Sequence, residues 1–270
     1  MTEPLVTILV PHYKTLALTK LCLRLLRQYT DLNKAKVVVI DNDSGDESLD
    51  YLRTVAWIEL IERQAVPHQS PVMAHSAALD LALDQVRTPY VLSIHTDTLV
   101  SHPRWLDFLL EQIRRDPCIA GVGSWKLESK PLFRRALKWI ERYMQLAYYR
   151  LTGHTQHGLE GVGKNYYYLR SHCAMYRMDL IRQLNLHFSD GDMVAGKAMH
   201  QQLVKAGYQM VFYPSEVLIK YLDHINHATT VLNPELSSRQ KSVNKGMKRI
   251  QKSLQRLNAD AILRDDRLDR

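Results

Sequence analysis

The first hundred residues alternate between two hydrophobic periods. Val6-Thr7-Ile8-Leu9-Val10 is a short, β-branched apolar run that stops at Pro11, the pattern of a buried strand. Over 16–29, Leu16, Leu18, Leu21, Leu25 and Leu26 fall near helical spacing, with Lys20, Arg24 and Arg27 on the other side. Residues 35–40 (AKVVVI) form a second strand pattern ending in Asp41-Asn42-Asp43-Ser44-Gly45-Asp46, a turn-forming cluster. A helix through Leu49 and Leu52, a strand at 58–61, a helix over 72–86 and a strand over 90–94 follow. Strands alternating with helices across short polar turns predict βαβ units and a mostly parallel α/β sheet. Such sheets bind ligands beyond the carboxyl ends of their strands. Three of those ends are polar here: His12-Tyr13-Lys14, Asp41-Asn42-Asp43 and His95-Thr96-Asp97.

The second half is less regular. The pattern predicts a strand at 119–122, a helix at 196–206 and a strand at 210–213. Between them, 132–151 reads as a long basic amphipathic helix with Phe133, Leu137, Ile140, Met144, Ala147 and Leu151 spaced by three or four. The tail from Asn233 carries seven basic residues and no acid between Arg239 and Arg256. Within it Val243, Met247, Ile250, Leu254 and Leu257 keep a 4-3-4-3 spacing. That stripe fits either a membrane-surface helix or a dimerising seam.

Composition narrows the classes. A chain of 270 residues, 46% hydrophobic and 24% charged, is ample for a core and excludes wholesale disorder. Three widely spaced cysteines, Cys22, Cys118 and Cys173, give no CxxC, so a disulfide scaffold or cysteine zinc site is not expected. The opening MTEPLVTILV has no basic and apolar leader pattern, and no apolar run reaches spanning length. A cytoplasmic protein is expected, with peripheral contact at the inner membrane face through the basic helices. The net charge of +8 points to an anionic partner. Nucleic acid is not expected, because no DNA- or RNA-binding motif is present.

The strand ends carry a family likeness. VTILVPHYK, LCLRLLRQYT and KVVVIDNDSGDES resemble the opening of family 2 glycosyltransferases of the GT-A fold. The match lies in Pro11-His12-Tyr13 after the first strand and Asp41-Asn42-Asp43-Ser44-Gly45-Asp46 after the second. MAHSAALDLALDQVRTPYVLSIHTDT resembles that family's next block, which leads into its Asp-x-Asp motif. The likeness is to bacterial enzymes of polysaccharide or cell-surface glycan synthesis. It covers about the first 125 residues and divides the chain into a nucleotide-sugar-binding half (1–125), an acceptor and catalytic half (126–232) and a basic helical tail (233–270).

The resemblance implies an inverting transfer from a nucleoside-diphosphate sugar, with UDP favoured, to a hydroxyl acceptor that is a glycan, lipid-linked or other. It implies donor contacts from Pro11, Tyr13, Asp41, Asp43, His95, Asp97 and Arg177. Tyr13 would stack on the base and Asp41 accept from a ring N–H; their bland uses are a lid over the sheet edge and a turn cap. Asp97 would hold Mn²⁺ or Mg²⁺ with help from His224, His227 being second choice. His95 departs from the motif, standing where its first aspartate belongs. A second departure is Ala195, Gly196 and Ala198, where the family places acids before Gly207-Tyr208. Asp190 and Asp192 are then the candidate bases, and helix-start capping is their bland reading. Two rivals are a degenerate domain that binds without turnover and a nucleotidyltransferase, the latter disfavoured because PHYKTLALTK has no glycine.

Overall fold

The computed structural model describes residues 3–127, 132–152, 161, 163–192, 194–225, 251 and 254–270. The alternation of the first half folds as expected into β1 (Val6–His12), α1 (Leu16–Tyr29), β2 (Ala35–Asn42), α2 (Glu47–Thr54), β3 (Glu59–Arg63), α3 (Pro71–Leu83) and β4 (Tyr90–Ile94). A short β5 (Thr98–Val100), α4 (Trp105–Ile113), β6 (Ile119–Gly123) and the long α5 (Leu132–Thr152) come next. Then follow β7 (Cys173–Arg177), α6 (Met178–Gln183), α7 (Lys197–Lys205), β8 (Gln209–Phe212), α8 (Ser215–Leu218), β9 (Leu222–His224) and α9 (Ala259–Arg264).

Seven strands make one sheet in the order β3-β2-β1-β4-β7-β6-β8. All run parallel except β7, which is antiparallel to both its neighbours. Both halves of the sequence therefore share a single sheet. The strands between the edge strands β3 and β8 are buried on both faces, and their alternate residues serve opposite cores. In β1, Val6, Ile8 and Val10 join the core under α1, α2 and α4, while Leu9 faces α3, α6 and α7. In β7, Cys173 and Met175 face the first core, Ala174 and Tyr176 the second. This explains why the strands read as continuous apolar runs rather than alternating ones.

The chain end closes the α1 side. Leu254, Leu257, Ile262 and Leu263 pack on the first core. Asp269 receives Arg24 at 2.9 and 2.5 Å and the Tyr51 hydroxyl at 2.8 Å. Arg24 also donates to the Ile262 and Leu263 carbonyls. The last residues are thus part of the fold, where the sequence reading had a separate tail from 233. Most of that tail's apolar stripe, and His227, lie outside the described residues.

Candidate active site

The carboxyl edge of the sheet gathers the polar strand ends. Asp97 lies between β4 and β5, and β5 pairs antiparallel with β9 so that Thr98 stands opposite His224. The Ile225 N–H donates to the Asp97 carbonyl at 2.9 Å, which fixes this register. His224 Nε2 lies 3.3 Å and His95 Nδ1 3.8 Å from Asp97 Oδ1. Donor atoms of His95, Asp97 and His224 all fall within 4.8 Å of one another. The structure thus brings together three of the expected residues from two distant parts of the sequence.

Electrostatics of the trio follow from burial and mutual charge. Burial alone would raise the Asp97 carboxyl, but His224, His95 and His172 outweigh it and hold it at about 2. Burial pushes His95 down to about 4 against the pull of Asp97. His224 goes the other way: the charge of Asp97 overcomes burial and lifts it above the ordinary range. A proton between His224 and Asp97 is the charge a cation would replace on binding.

A second ring of residues orients the first. Ser171 Oγ lies 2.9 Å from His95 Nε2 and 3.1 Å from His75 Nε2. With the His95 proton on Nε2 donated to Ser171, Nδ1 keeps a lone pair toward Asp97, and the Ser171 hydroxyl donates to His75. His172 stacks on His224 at 4.6 Å and bonds Ser124 Oγ at 2.9 Å. Ser171 and His172 open the segment that resembles the family's acceptor-side strand, and His75 joins them only through the fold. Their signal was the concentration of histidines in segments bordering strands β4 and β7. Only the sheet order shows that they converge.

The donor set passes a chemical fit for a divalent ion. Two imidazoles and one carboxylate suit first-row transition ions such as Mn²⁺ better than Mg²⁺, which prefers oxygen alone.

Two strands along, the β1 and β2 loops are tied together. Lys14 N–H donates to Ser44 Oγ at 2.9 Å, and Ser44 N–H to Asp41 Oδ2 at 3.1 Å. Asp41 is therefore a turn cap through one oxygen. Its other oxygen, Oδ1, is buried without a hydrogen-bond partner. His12 is fully enclosed beside it, with Nδ1 2.9 Å from Thr19 Oγ1 and Nε2 2.8 Å from Ser48 Oγ. The Ser48 hydroxyl donates to Asp46, so His12 carries its proton on Nε2, 3.6 Å from Asp41 Oδ1. Pro11 stands opposite Ile40 next to the end of β1, and Tyr13, just past the strand, is half-buried with the Lys14 ammonium 5.1 Å from its ring. Asp43 is exposed in a left-handed turn, φ 63°.

One expectation, the donor contact of Arg177, is corrected. Arg177 pairs with Tyr90 at the opening of β4, the far end from Ile94 and Cys173. Because β7 is antiparallel, its last residue lands on the amino edge, where Asp179 and the Pro117 carbonyl hold the guanidinium. Asp190 closes its own turn: Oδ2 accepts from the His187 N–H at 2.9 Å. Its neighbours Phe188 and Ser189 hang on Asp80, midway along α3. One oxygen of Asp190 thus caps the turn, and the other lies 3.8 Å from His187 Nδ1. Asp192 closes the same short turn, and its side chain lies outside the described residues.

The family model described as glycosyl transferase family 2 matches residues 7–184. The chain belongs to the family 2 glycosyl transferases. Among solved structures it resembles the mannosyltransferase PcManGT from Pyrobaculum calidifontis, in complex with GDP-Man and Mn²⁺, at 19% identity and TM-score 0.54. That match covers 79% of this chain and 56% of the mannosyltransferase, so the chain spans little more than half the length of that relative. S. aureus TarS 1–349 matches at 14% identity and TM-score 0.50, over 92% of this chain and 70% of TarS. These likenesses show the fold, the GT-A arrangement of a mostly parallel sheet between helices. Among curated proteins no relative was found. In this family 2 chain the matched segment spans β1 through α6 and so includes Asp41, His95 and Asp97; His224 comes after it.

Proposed function

We propose that the protein transfers a sugar from a nucleoside-diphosphate donor, UDP-linked by preference, to a hydroxyl acceptor with inversion at the anomeric carbon. The observation that carries this reading is the convergence of His95, Asp97 and His224 at the carboxyl edge, two strands from Asp41. Two strand spacings are about 10 Å, the reach from a nucleobase across its ribose to the diphosphate.

Each residue has a part in that span. Asp41 Oδ1 accepts from a ring N–H, which uracil and guanine present and cytosine lacks. Burial of that oxygen makes the missing bond costly, so the carboxylate selects its base. Tyr13 lies on the base face. Asp43 and His95 lie toward the ribose. Asp97, His95 and His224 would hold Mn²⁺, and a cation bound there neutralises the leaving diphosphate. Ser171 and His172 keep the two imidazoles turned toward Asp97. Inversion needs a group that takes the acceptor proton, and Asp190, tied to His187, is not assigned that part.

The test is release of nucleoside diphosphate from a panel of UDP-, GDP- and CDP-sugars with Mn²⁺. Release from a UDP-sugar that falls at least about 100-fold in Asp97→Asn supports the reading. A second reading rests on Ala195 and Gly196, which stand where acids are expected: the domain binds a nucleotide sugar without turning it over. Tight Mn²⁺-dependent UDP binding with no release from any sugar would favour that reading instead.

A further inference from the structure

Helix α5 is amphipathic, yet most of its apolar stripe is turned away from the rest of the protein. It is held through Arg142, Leu146 and Ala147 instead. Arg142 donates to the Tyr167 hydroxyl at 2.6 Å and lies over that ring, and Tyr167 packs on Trp125 just past β6. Leu146 and Ala147 are half-buried. The opposite stripe, Leu137, Ile140, Met144 and Leu151, is 49–87% exposed. Beside it Trp139 and Tyr143 stack at 6.0 Å, both largely exposed. From Leu137 to Leu151 this makes about 22 Å of helix, an apolar strip rather than scattered surface residues.

Charge decides what covers the strip. The α5 sequence carries Arg134, Arg135, Lys138, Arg142 and Arg150 against Glu141 alone. A second copy of α5, or the equally basic 239–256 segment, would bring like charges together. Part of the tail's own stripe is already in use, since Leu254 and Leu257 pack on the core beside α1. An anionic bilayer surface instead matches both features, headgroups to the basic residues and acyl chains to Leu, Ile, Met and Trp. Among the described residues no helix is apolar enough to span a membrane, so α5 would lie in the interface plane.

We propose that α5 docks the protein on an anionic lipid surface, with Ile140, Met144 and Leu151 inserted and Trp139 at headgroup depth. The attachment of α5 through Tyr167 and Trp125 puts this surface beside the carboxyl edge of β6. The inference stands on α5 alone and does not depend on the chemistry proposed above.

Vesicle flotation of the full chain tests it, using phosphatidylcholine with about 30 mol% phosphatidylglycerol and phosphatidylcholine alone. The protein should float with the anionic vesicles only, and its partitioning should fall at least about tenfold when salt rises from about 0.05 to 0.5 M. The double variant Ile140→Glu/Met144→Glu should lose partitioning at least about tenfold with an unchanged Tm, because both side chains are already in solvent. Leu151→Glu, at the helix end, gives an independent check. Tryptophan emission should shift to the blue on anionic vesicles in the wild type and not in Trp139→Phe. Equal flotation on neutral vesicles, flotation retained by the double variant, or a solution dimer that the double variant dissociates would each overturn the proposal.

Discussion

Asp41 and Asp97 are both buried acids at strand ends, but they are held differently. Asp97 is surrounded by imidazoles, whereas one oxygen of Asp41 caps a turn and the other has no hydrogen-bond partner. Asp41→Ala is therefore expected to weaken UDP binding by about 10–100-fold, the loss of a hydrogen bond to a charged group, measurable by calorimetry. Little change in affinity would leave Asp41 as a turn cap alone. Gly123 shows a steric constraint of the same edge. A Cβ there would meet the Cys173 carbonyl oxygen at 2.2 Å, a backbone atom that cannot swing aside. Gly123→Ala should cost about 3 kcal/mol in urea unfolding, since β6 and β7 must separate locally. The acids were legible because turn-rich strand ends stand out against apolar runs. His12 was seen but not understood: its bonds to Thr19 and Ser48 depend on the packing of α1 and α2.

Strands β1, β2 and β4 were legible as apolar runs because a parallel sheet buries both faces. Helices α1 and α5 were legible by their period, whereas α3, a small-residue helix without one, ends at Leu83, three residues short of the expected 86. The short elements β5 and β9 were not, since three residues carry no period and each exists only through the other. That pair is what delivers His224 to Asp97. Arg256 forms an ion pair with Asp223, the neighbour of His224, so the chain end braces β9 as well as α1. Arg24 depends on the same end, its side chain being 5% exposed. Asp269→Ala strands that guanidinium and should lower stability by about 3 kcal/mol, read from the urea midpoint. A change below about 0.5 kcal/mol would mean that the clasp is a surface pair of no consequence.

The whole molecule carries histidines buried in their neutral form on both faces of the sheet. Burial draws His200 down to about 4, and His12 to about 4 against the opposing pull of Asp41 and Asp46. The unfolded chain takes up these protons nearer 6.5, so stability is intact above that pH and declines as pH falls through 6.5 toward 4. Each site is worth about 3 kcal/mol when the loss is complete. Denaturant unfolding between pH 7 and 4 should show that slope, and His200→Asn should flatten it; a profile flat to pH 4 would contradict the burial argument. At this scale the α/β class, the parallel sheet and the family were all readable from the first half. The folding-back of the last residues was not, because ion pairs such as Arg24–Asp269 leave no trace in hydrophobic period. The most direct test of the central claim is thermal stability with UDP, GDP and CDP, each with and without Mn²⁺. The account predicts a rise with UDP that requires Mn²⁺, is absent with CDP and disappears in Asp97→Asn; at about 100-fold over Kd it is worth roughly 2.7 kcal/mol. No rise with any of the three, or a rise indifferent to Mn²⁺ and to Asp97, would contradict it.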